Sequence, residues 1–553
     1  MISDSRSVPD GSTLDCDVCV VGAGPAGITL ALTLQRAGRS VLLLEAGQLN
    51  RAGNAQALYQ GEVSDPGRHL PLDQARYRQL GGTSALWGGR CIPYDEIDFE
   101  SRPWVPHSGW PISRDALAPS YAEAHRWLEC GAWDYRSDSV LGPGAGAMLP
   151  GLADGAIDTG SLERWSPPTH FGKTCRAALA AADGPRVLLQ AVATALHTDA
   201  AGASISGITV QRCPAGGRGG RDTGSGFRVQ AREVVLAGGG LETTRLLMGS
   251  RQVDQQGIGA ASGWLGRGYM SHVHGVIATV QCRAAQPAIS GYEQDADGVF
   301  VRRRLQVSPA MQRQLELLNL YLLLDRPLLD DPSHGSALLS AAFIAKRLFQ
   351  RQREATLGSG KYALYWQHLR NVLRGSPQVL SVLPRFARRR FLQQRRLPSL
   401  TVPARDNRFH LYFQAEQVPD RSAGATLLAE RDALGQQRLR LDFKTQPQDL
   451  DAIWRSHELL ANELHAQRAG SLQFLPDARA QLANAQAVLG HHIGMTRMAA
   501  DPAQGVVDAN CRVHGLRNLH VASASVLPTS SHANPTLTVV ALALRLAHHL
   551  AAA

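Results

Sequence analysis

The stretch from Asp15 to Gly47 constrains the fold most. CDVCVVG is an apolar run of strand length that ends in glycine. PAGITLALTLQRAG has helical length and stops at Gly38, and SVLLLEAG is a second buried strand. Two apolar strands joined by a helix are too far apart along the chain for a hairpin, so they become parallel neighbours in one sheet, a βαβ unit. Between first strand and helix stands Gly22-Ala23-Gly24-Pro25-Ala26-Gly27. Gly22 permits the tight turn, Gly24 lets the backbone approach a pyrophosphate, and Gly27 lets helix and strand pack closely. The helix N-terminus then offers free N–H groups and the positive end of its dipole to the phosphates. Glu45 closes the second strand, where a carboxylate can accept hydrogen bonds from both hydroxyls of an adenosine ribose. A bound dinucleotide is expected, and this spacing alone does not separate FAD from NAD.

The 553 residues exceed one ordinary core, so two or three structural units are expected, interleaved in sequence. The opening segment, Met1–Leu14, is polar and reads as flexible. It has neither the basic-then-apolar pattern of a secretory signal nor paired arginines for export, and no apolar run is long enough to span a bilayer. Eight scattered cysteines suit a reduced, cytoplasmic protein better than a disulfide scaffold. Cys16 and Cys19 have metal-like spacing, but no second ligand pair lies nearby and both fall on the first apolar run, which favours a core strand. The formal charge of +10 is concentrated: residues 301–410 hold 20 Lys+Arg against 6 Asp+Glu. The rest of the chain is mildly acidic, so the high isoelectric point does not argue for nucleic-acid binding.

Glycine-rich segments recur at Leu80–Gly89 (LGGTSALWGG) and Glu233–Gly240 (EVVLAGGG, followed by LETTRLLMGS). The C-terminal stretch carries His491-His492-Ile-Gly494-Met-Thr496-Arg497-Met498. It closes on Val526-Leu-Pro528-Thr-Ser-Ser-His532-Ala-Asn534-Pro535-Thr536-Leu-Thr538. On these motifs the chain resembles the glucose–methanol–choline (GMC) oxidoreductase family, in the branch of pyranose oxidases and sugar-dehydrogenase flavoprotein subunits. The likeness runs through the last sixty residues and the glycine-rich segments, and is loose from about Cys282 to Asn484.

The resemblance implies an α/β fold, with a Rossmann-type FAD-binding domain and a second α+β substrate-binding domain. The FAD domain is expected in three pieces, at 14–130, 185–275 and 481–553. A cap segment at 131–184 and a substrate domain at 276–480, with a basic helical insert at 301–403, fall between them. His491 takes the position of the family's active-site histidine and Asn534 that of its second catalytic residue. The resemblance assigns Gly81, Gly82, Thr83, Ser84, Trp87, Val192, Ala237, Ser525, Pro535 and Thr536, with Gly22, Gly24, Gly27 and Glu45, to the cofactor. His492 and His532 are candidate substrate-site residues, although His492 alone reads as solvated or structural. Leu86 stands where some pyranose oxidases carry the histidine joined to flavin, so FAD is expected to be non-covalent. Ser523-Ala524-Ser525 departs from the family's usual Gly- or Asp-containing step.

A neutral imidazole can accept an alcohol's proton while the substrate C–H delivers hydride to flavin N5. Pro535 suits the first turn of the final helix, whose dipole would favour the anionic reduced flavin. The expected reaction is oxidation of a CH–OH group on a sugar, glycoside or polyol. The same chemistry on a natural-product or lipid-like alcohol, or a non-catalytic flavoprotein subunit, are the other readings. A nicotinamide reductase would need a second complete GxGxxG, and Ala237–Gly240 is only part of one. Oxygen, a quinone or a redox protein are candidate acceptors, and the basic surface favours a dehydrogenase. In the insert, FIAKRLFQRQR and VLPRFARRRFLQQRR suit a helix on an anionic membrane or partner subunit, a lid reaching acidic substrates, or a packed amphipathic element. The expected location is cytoplasmic, with peripheral contact at the inner face of the membrane as one option.

Overall fold

A computed structural model describes residues 1–214, 226–251, 255–283, 286–325, 329–350, 361–393, 395–399, 401 and 406–552. Two large sheets organise them. The first has the order Ile2–Asp4, Arg186–Leu189, Val41–Glu45, Thr13–Val21, Phe227–Leu236, Ile205–Arg212, Ala191–Thr198, with Leu519–Val521 also on Phe227–Leu236. Thr13–Val21 and Val41–Glu45 pair in parallel, Val20 opposite Leu43, as the crossover helix Pro25–Arg36 requires. Val41–Glu45 is buried throughout, with the helix Pro25–Arg36 and the strand Ala191–Thr198 both packed on it. The final helix, Thr536–Ala552, packs against the first helix and is buried along most of its length, as its nearly continuous apolar sequence demands. Cys16 and Cys19 lie on the strand Thr13–Val21, Cys19 fully buried, and all eight cysteines are free thiols.

The second sheet is antiparallel, ordered Gly470–Phe474, Val273–Cys282, Arg408–Ala415, Leu320–Asp325, Phe300–Val307, Ile157–Trp165, Arg90–Cys91. The piece 14–130 thus also supplies Arg90–Cys91 to this sheet, while strands from 186 to 236 complete the first. The first sheet is assembled from distant segments: parallel pairs join strands from residues 2 to 236 and 519–521, and Ile205–Arg212 and Ala191–Thr198 complete it in antiparallel pairing.

Two expectations are corrected. Met1–Leu14 is not a loose tail: Ile2–Asp4 pairs in parallel with Arg186–Leu189, and the Met1 ammonium donates to the Leu179 and Pro185 carbonyls. The alternation of Ile2 with small polar residues was too short to register as a strand. Nor is 301–403 a helical insert throughout. Phe300–Val307 and Leu320–Asp325 are interior strands, and Arg302, Arg303 and Arg304 are buried. Arg303 pairs with Glu293 at 2.7 Å, and Arg302 donates to the Leu324 carbonyl at 2.8 Å. Helices begin only at Ala337–Gln350, followed by Lys361–Arg374 and Ser376–Ala387. Arg351 and Arg353 of the first basic motif lie outside the described residues. Among the described residues no helix is long and apolar enough to cross a membrane.

Candidate active site

A cavity of about 480 Å³ runs from the Gly22–Gly24 turn to Asn534. Its first end is shaped by glycine. Gly22 has φ +108°, and a Cβ there would lie 2.6 Å from the Ala237 carbonyl oxygen. A Cβ on Gly27 would lie 1.9 Å from the Gly22 carbonyl, so this residue sets helix–strand packing behind the wall, whereas Gly24 is on the wall with open space beside it. Glu45 is buried. Its carboxylate accepts from the Ala23 and Gly47 N–H groups at 3.0 and 2.7 Å, which leaves lone pairs for further donors. Burial raises the Glu45 pKa, partly offset by those N–H groups and by Arg78.

Sequence reading missed the charged cluster beside this end. Glu242 binds Arg76 at 2.9 Å and Arg78 at 2.6 Å, and Arg245 at 3.5 Å. Burial pushes Glu242 up, but the three guanidinium groups hold it down at about 2. Arg78 Nε and Thr243 Oγ1 are buried on this wall without a protein partner. Glycines that admit a phosphate-bearing ligand, orphaned donors and a ribose-competent carboxylate together fit an FAD-sized dinucleotide. Val192 and Ala237 also line this part of the cavity.

Further along, Gly82, Thr83, Ser84, Leu86 and Trp87 form one side, and Pro535 and Thr536 the other. The Pro535 carbonyl accepts from Val539 N at 2.9 Å, so the final helix starts here with its N-terminal end at the cavity. Gly81 is not on the wall. It has φ +89°, and a Cβ would lie 2.4 Å from Gly172 N, so it shapes the loop from behind. Ser525 is likewise displaced: it is fully buried and its hydroxyl bonds Thr496 and Ser523 at 2.6 Å, while Ser523 and Ala524 reach the cavity. Ser525 thus faces inward in a hydroxyl chain with Thr496 and Ser523.

At the far end His491 and Asn534 come together across 43 residues, Asn534 Nδ2 to His491 Nε2 at 3.1 Å. Asn534 Oδ1 accepts from Gln414 Nε2 at 3.3 Å, and Gln414 is itself oriented by donating to the His532 carbonyl at 2.7 Å. That chain turns the amide NH₂ of Asn534 towards His491. The His491 pKa is held well below the usual histidine range, by burial first and then by His272, His492 and Arg90. The imidazole is therefore neutral. Trp87, Trp165, Leu86, Leu489 and Arg90 enclose the neighbouring space. Arg90 is neutralised by Glu163 at 3.2 Å and donates to the Tyr321 hydroxyl.

The two other histidines do not join this pair. His492 reaches the wall beside Gly240, but its Nδ1 is tied to the Tyr269 hydroxyl at 3.0 Å, and that hydroxyl to His69 Nε2 at 2.9 Å. His532 is fully buried behind the wall, 2.8 Å from Asp95 and 3.2 Å from Arg304. It belongs to a polar cluster that anchors the 529–534 loop: Ser531 donates to Asp98 at 2.6 Å, and Asn319 donates to both Asp95 and Asp98 at 3.0 Å. A histidine two residues from Asn534 in an irregular loop points the other way, which spacing alone does not show.

Comparison with known proteins identifies the family and the cofactor. The FAD dependent oxidoreductase family model matches residues 17–313, and the GMC oxidoreductase C-terminal model matches residues 420–543. The chain is 25% identical to 6'''-hydroxyparomomycin C oxidase of Streptomyces lividus, over 97% of this chain and 92% of that protein. Its fold is similar to pyridoxine 4-oxidase from Mesorbium loti (TM-score 0.52, 17% identity, 97% and 99% of the two chains). A fungal aryl-alcohol oxidase is equally similar (TM-score 0.52, 16% identity, 97% and 99%).

Proposed function

The chain belongs to the FAD-dependent oxidoreductases of the GMC type, and we propose that it oxidises a CH–OH group to a carbonyl, with His491 as base and Asn534 as the group that holds the hydroxyl. The observation that carries this reading is the His491–Asn534 pair, 3.1 Å apart on the wall of the cavity that begins at the dinucleotide turn. Bound FAD supplies the two-electron acceptor for the substrate's hydride. His491 Nε2, neutral and unprotonated, takes the hydroxyl proton. Asn534 Nδ2 steadies the same oxygen without competing for that proton. General-base assistance of this kind is worth about 10²–10⁴-fold in rate. Leu86 on the wall offers no side chain able to bond covalently to flavin, so FAD is held by packing and hydrogen bonds.

The substrate is an alcohol on a sugar, glycoside or polyol. The full-length likeness to an oxidase named for 6'''-hydroxyparomomycin C favours, as second reading, the same reaction on a natural-product alcohol. The apolar enclosure of Trp87, Trp165, Leu86 and Leu489, with its single arginine neutralised by Glu163, suits either and disfavours a strongly anionic substrate. Burial of Arg302–Arg304 removes part of the surface charge that favoured a dehydrogenase, and oxygen is the first acceptor to assay. The test is anaerobic mixing of the holoenzyme with a panel of alcohols. The flavin absorbance should bleach with at least one, and His491→Ala should keep its yellow cofactor while losing reduction by about 10²-fold or more. A His491→Ala rate near that of the parent would remove this residue from its role.

A further inference from the structure

His272, at the entry to the strand Val273–Cys282, touches His491 from the side away from the cavity. The Nδ1 atoms of the two rings are 2.7 Å apart, and the rings meet edge to face at 87°. The other nitrogen of His272, Nε2, lies 3.0 Å from the Ser530 carbonyl oxygen. A carbonyl only accepts, so Nε2 of His272 carries a proton. Burial lowers the His272 pKa to about 3, despite the Ser530 carbonyl, so the ring is neutral and its Nδ1 is a bare lone pair. Two bare nitrogens do not approach to 2.7 Å, hence the proton between the rings belongs to His491 Nδ1. The remaining nitrogen of His491, the one facing Asn534, must then be unprotonated.

We propose that His272 is a positioning residue that fixes His491 as the Nδ1–H tautomer and so presents a basic Nε2 to the substrate hydroxyl. The relay ends at a peptide carbonyl, which offers no exit for a proton. His272 therefore orients and stabilises His491 without carrying its proton away, and a proton taken on Nε2 stays on the cavity side. The geometry is well braced. Met270 and Ile493 exchange backbone hydrogen bonds at 2.9 and 3.0 Å, and Val488 N donates to the His272 carbonyl at 2.9 Å. The Ser530 hydroxyl accepts from Gln417 N at 2.9 Å, which braces the residue whose carbonyl ends the relay. The other ionisable groups acting on His491 are His492, Arg90 and His274, and none of them makes a hydrogen bond to its ring among the described residues.

This inference rests on the proposed function for its kinetic arm only. Two polar variants separate the roles of the two His272 nitrogens. In His272→Asn the amide oxygen falls where Nδ1 was and still accepts from His491. In His272→Gln the amide reaches the Nε2 position, keeping the Ser530 contact and losing the one to His491. With matched FAD content and KM, anaerobic flavin reduction should stay within about tenfold of the parent for Asn and fall by about 10²-fold or more for Gln. Nitrogen-15 NMR of histidine-labelled holoprotein, with His491→Ala for assignment, should show His491 as the Nδ1–H tautomer in the parent and in His272→Asn. It should show an Nε2–H population in His272→Gln. Equal rates in the two variants, or an Nε2–H His491 in the parent, would overturn the proposal. If no alcohol bleaches the parent flavin, the function fails while the tautomer result still decides the role of His272.

A second observation stands apart from the active site. The helix Lys361–Arg374 packs its inner face on Ala337–Gln350, with His368 stacked on Phe343 and bonded to Ser340 at 3.0 Å. Its opposite stripe carries Tyr362, Trp366, Leu369 and Leu373 at helical spacing. Trp366 and Leu373 are 64% and 63% exposed, and the neighbouring Leu380 is 73% exposed. Arg370 and Arg374 border the stripe, Arg388 and Arg389 are exposed nearby, and no described residue from 337 to 393 is acidic. Apolar and indole side chains ringed by arginines match an anionic bilayer surface in both polarity and charge. We infer that this face binds such a surface peripherally. In flotation assays the full-length holoenzyme should rise with vesicles containing phosphatidylglycerol and not with phosphatidylcholine alone. The double variant Trp366→Ser/Leu373→Ser should stay at the bottom with unchanged flavin absorbance. Equal flotation of parent and variant, or no flotation of the parent, would refute a membrane as the occupant.

Discussion

Replacing Asn534 by Asp tests the electrostatics of the site most directly. Asn534 Nδ2 is 3.1 Å from His491 Nε2, so the substitution sets an anionic oxygen at that distance from the base. At an effective dielectric constant of about 20, opposite unit charges so placed attract by about 5 kcal/mol, equivalent to about 4 pKa units. In the parent, burial and the neighbours His272, His492 and Arg90 keep His491 neutral well below the usual histidine range. The added carboxylate opposes that lowering, and the expected outcome at neutral pH is one proton held between the two groups. Nε2 then has no lone pair to offer. The assay is stopped-flow anaerobic flavin reduction from pH 5 to 10. Parent rates should be flat over the neutral range. The Asn534→Asp rate should fall by about 10²-fold or more at pH 7 and recover as alkali removes the shared proton. Asn534→Ala, which loses a hydrogen bond and adds no charge, should lose less and gain no alkaline limb. A flat, parent-like profile for Asn534→Asp would refute both the neutral-base assignment and the amide orientation.

Three further outcomes are expected. Gly27→Val should purify with little bound flavin and a lower melting temperature, because even a Cβ meets the Gly22 carbonyl at 1.9 Å; absorbance at 450 nm against 280 nm reads the occupancy. Arg102→Met strands Glu416, which the guanidinium binds at 2.5 and 2.8 Å in a fully buried pair, so unfolding by urea should show a loss of about 3–5 kcal/mol. Adding Glu416→Leu should recover much of that loss, and no recovery would place the effect in packing. His457 is buried, its Nδ1 2.7 Å from the Ile453 carbonyl, and desolvation lowers its pKa to about 4 against 6.5 unfolded. Its contribution is complete above pH 6.5 and is lost as pH falls through the folded value, up to about 3 kcal/mol. The difference in stability between parent and His457→Leu should therefore shift in the variant's favour from pH 7 to pH 4, and a constant difference would contradict the burial argument.

Short-range pattern made the cofactor half of this protein readable. A glycine turn, a helix of fixed length and an acid at the next strand end are set by neighbours within about thirty residues, and backbone sterics leave few other ways to fold them. The C-terminal motif likewise named His491 and Asn534. It did not show that Ser525 turns inward or that His532 serves a buried cluster with Asp95, because irregular loops have no period from which side-chain direction follows. Arg302–Arg304 looked like surface charge, since sequence records an arginine's charge and not the Glu293 carboxylate or Leu324 carbonyl that lets it be buried.

The chain's own sequence therefore marked Gly22–Gly27 and Glu45 as the candidate dinucleotide site, and His491 and Asn534 as the candidate catalytic pair. Only the tertiary structure set the hydrogen bonding of the His491 ring. The contact that does so joins His491 to a residue 219 positions away and rests on a carbonyl 258 positions beyond that residue. Hydrogen-bond direction between two imidazoles depends on what lies behind each ring, and that is a property of the packed sheets alone.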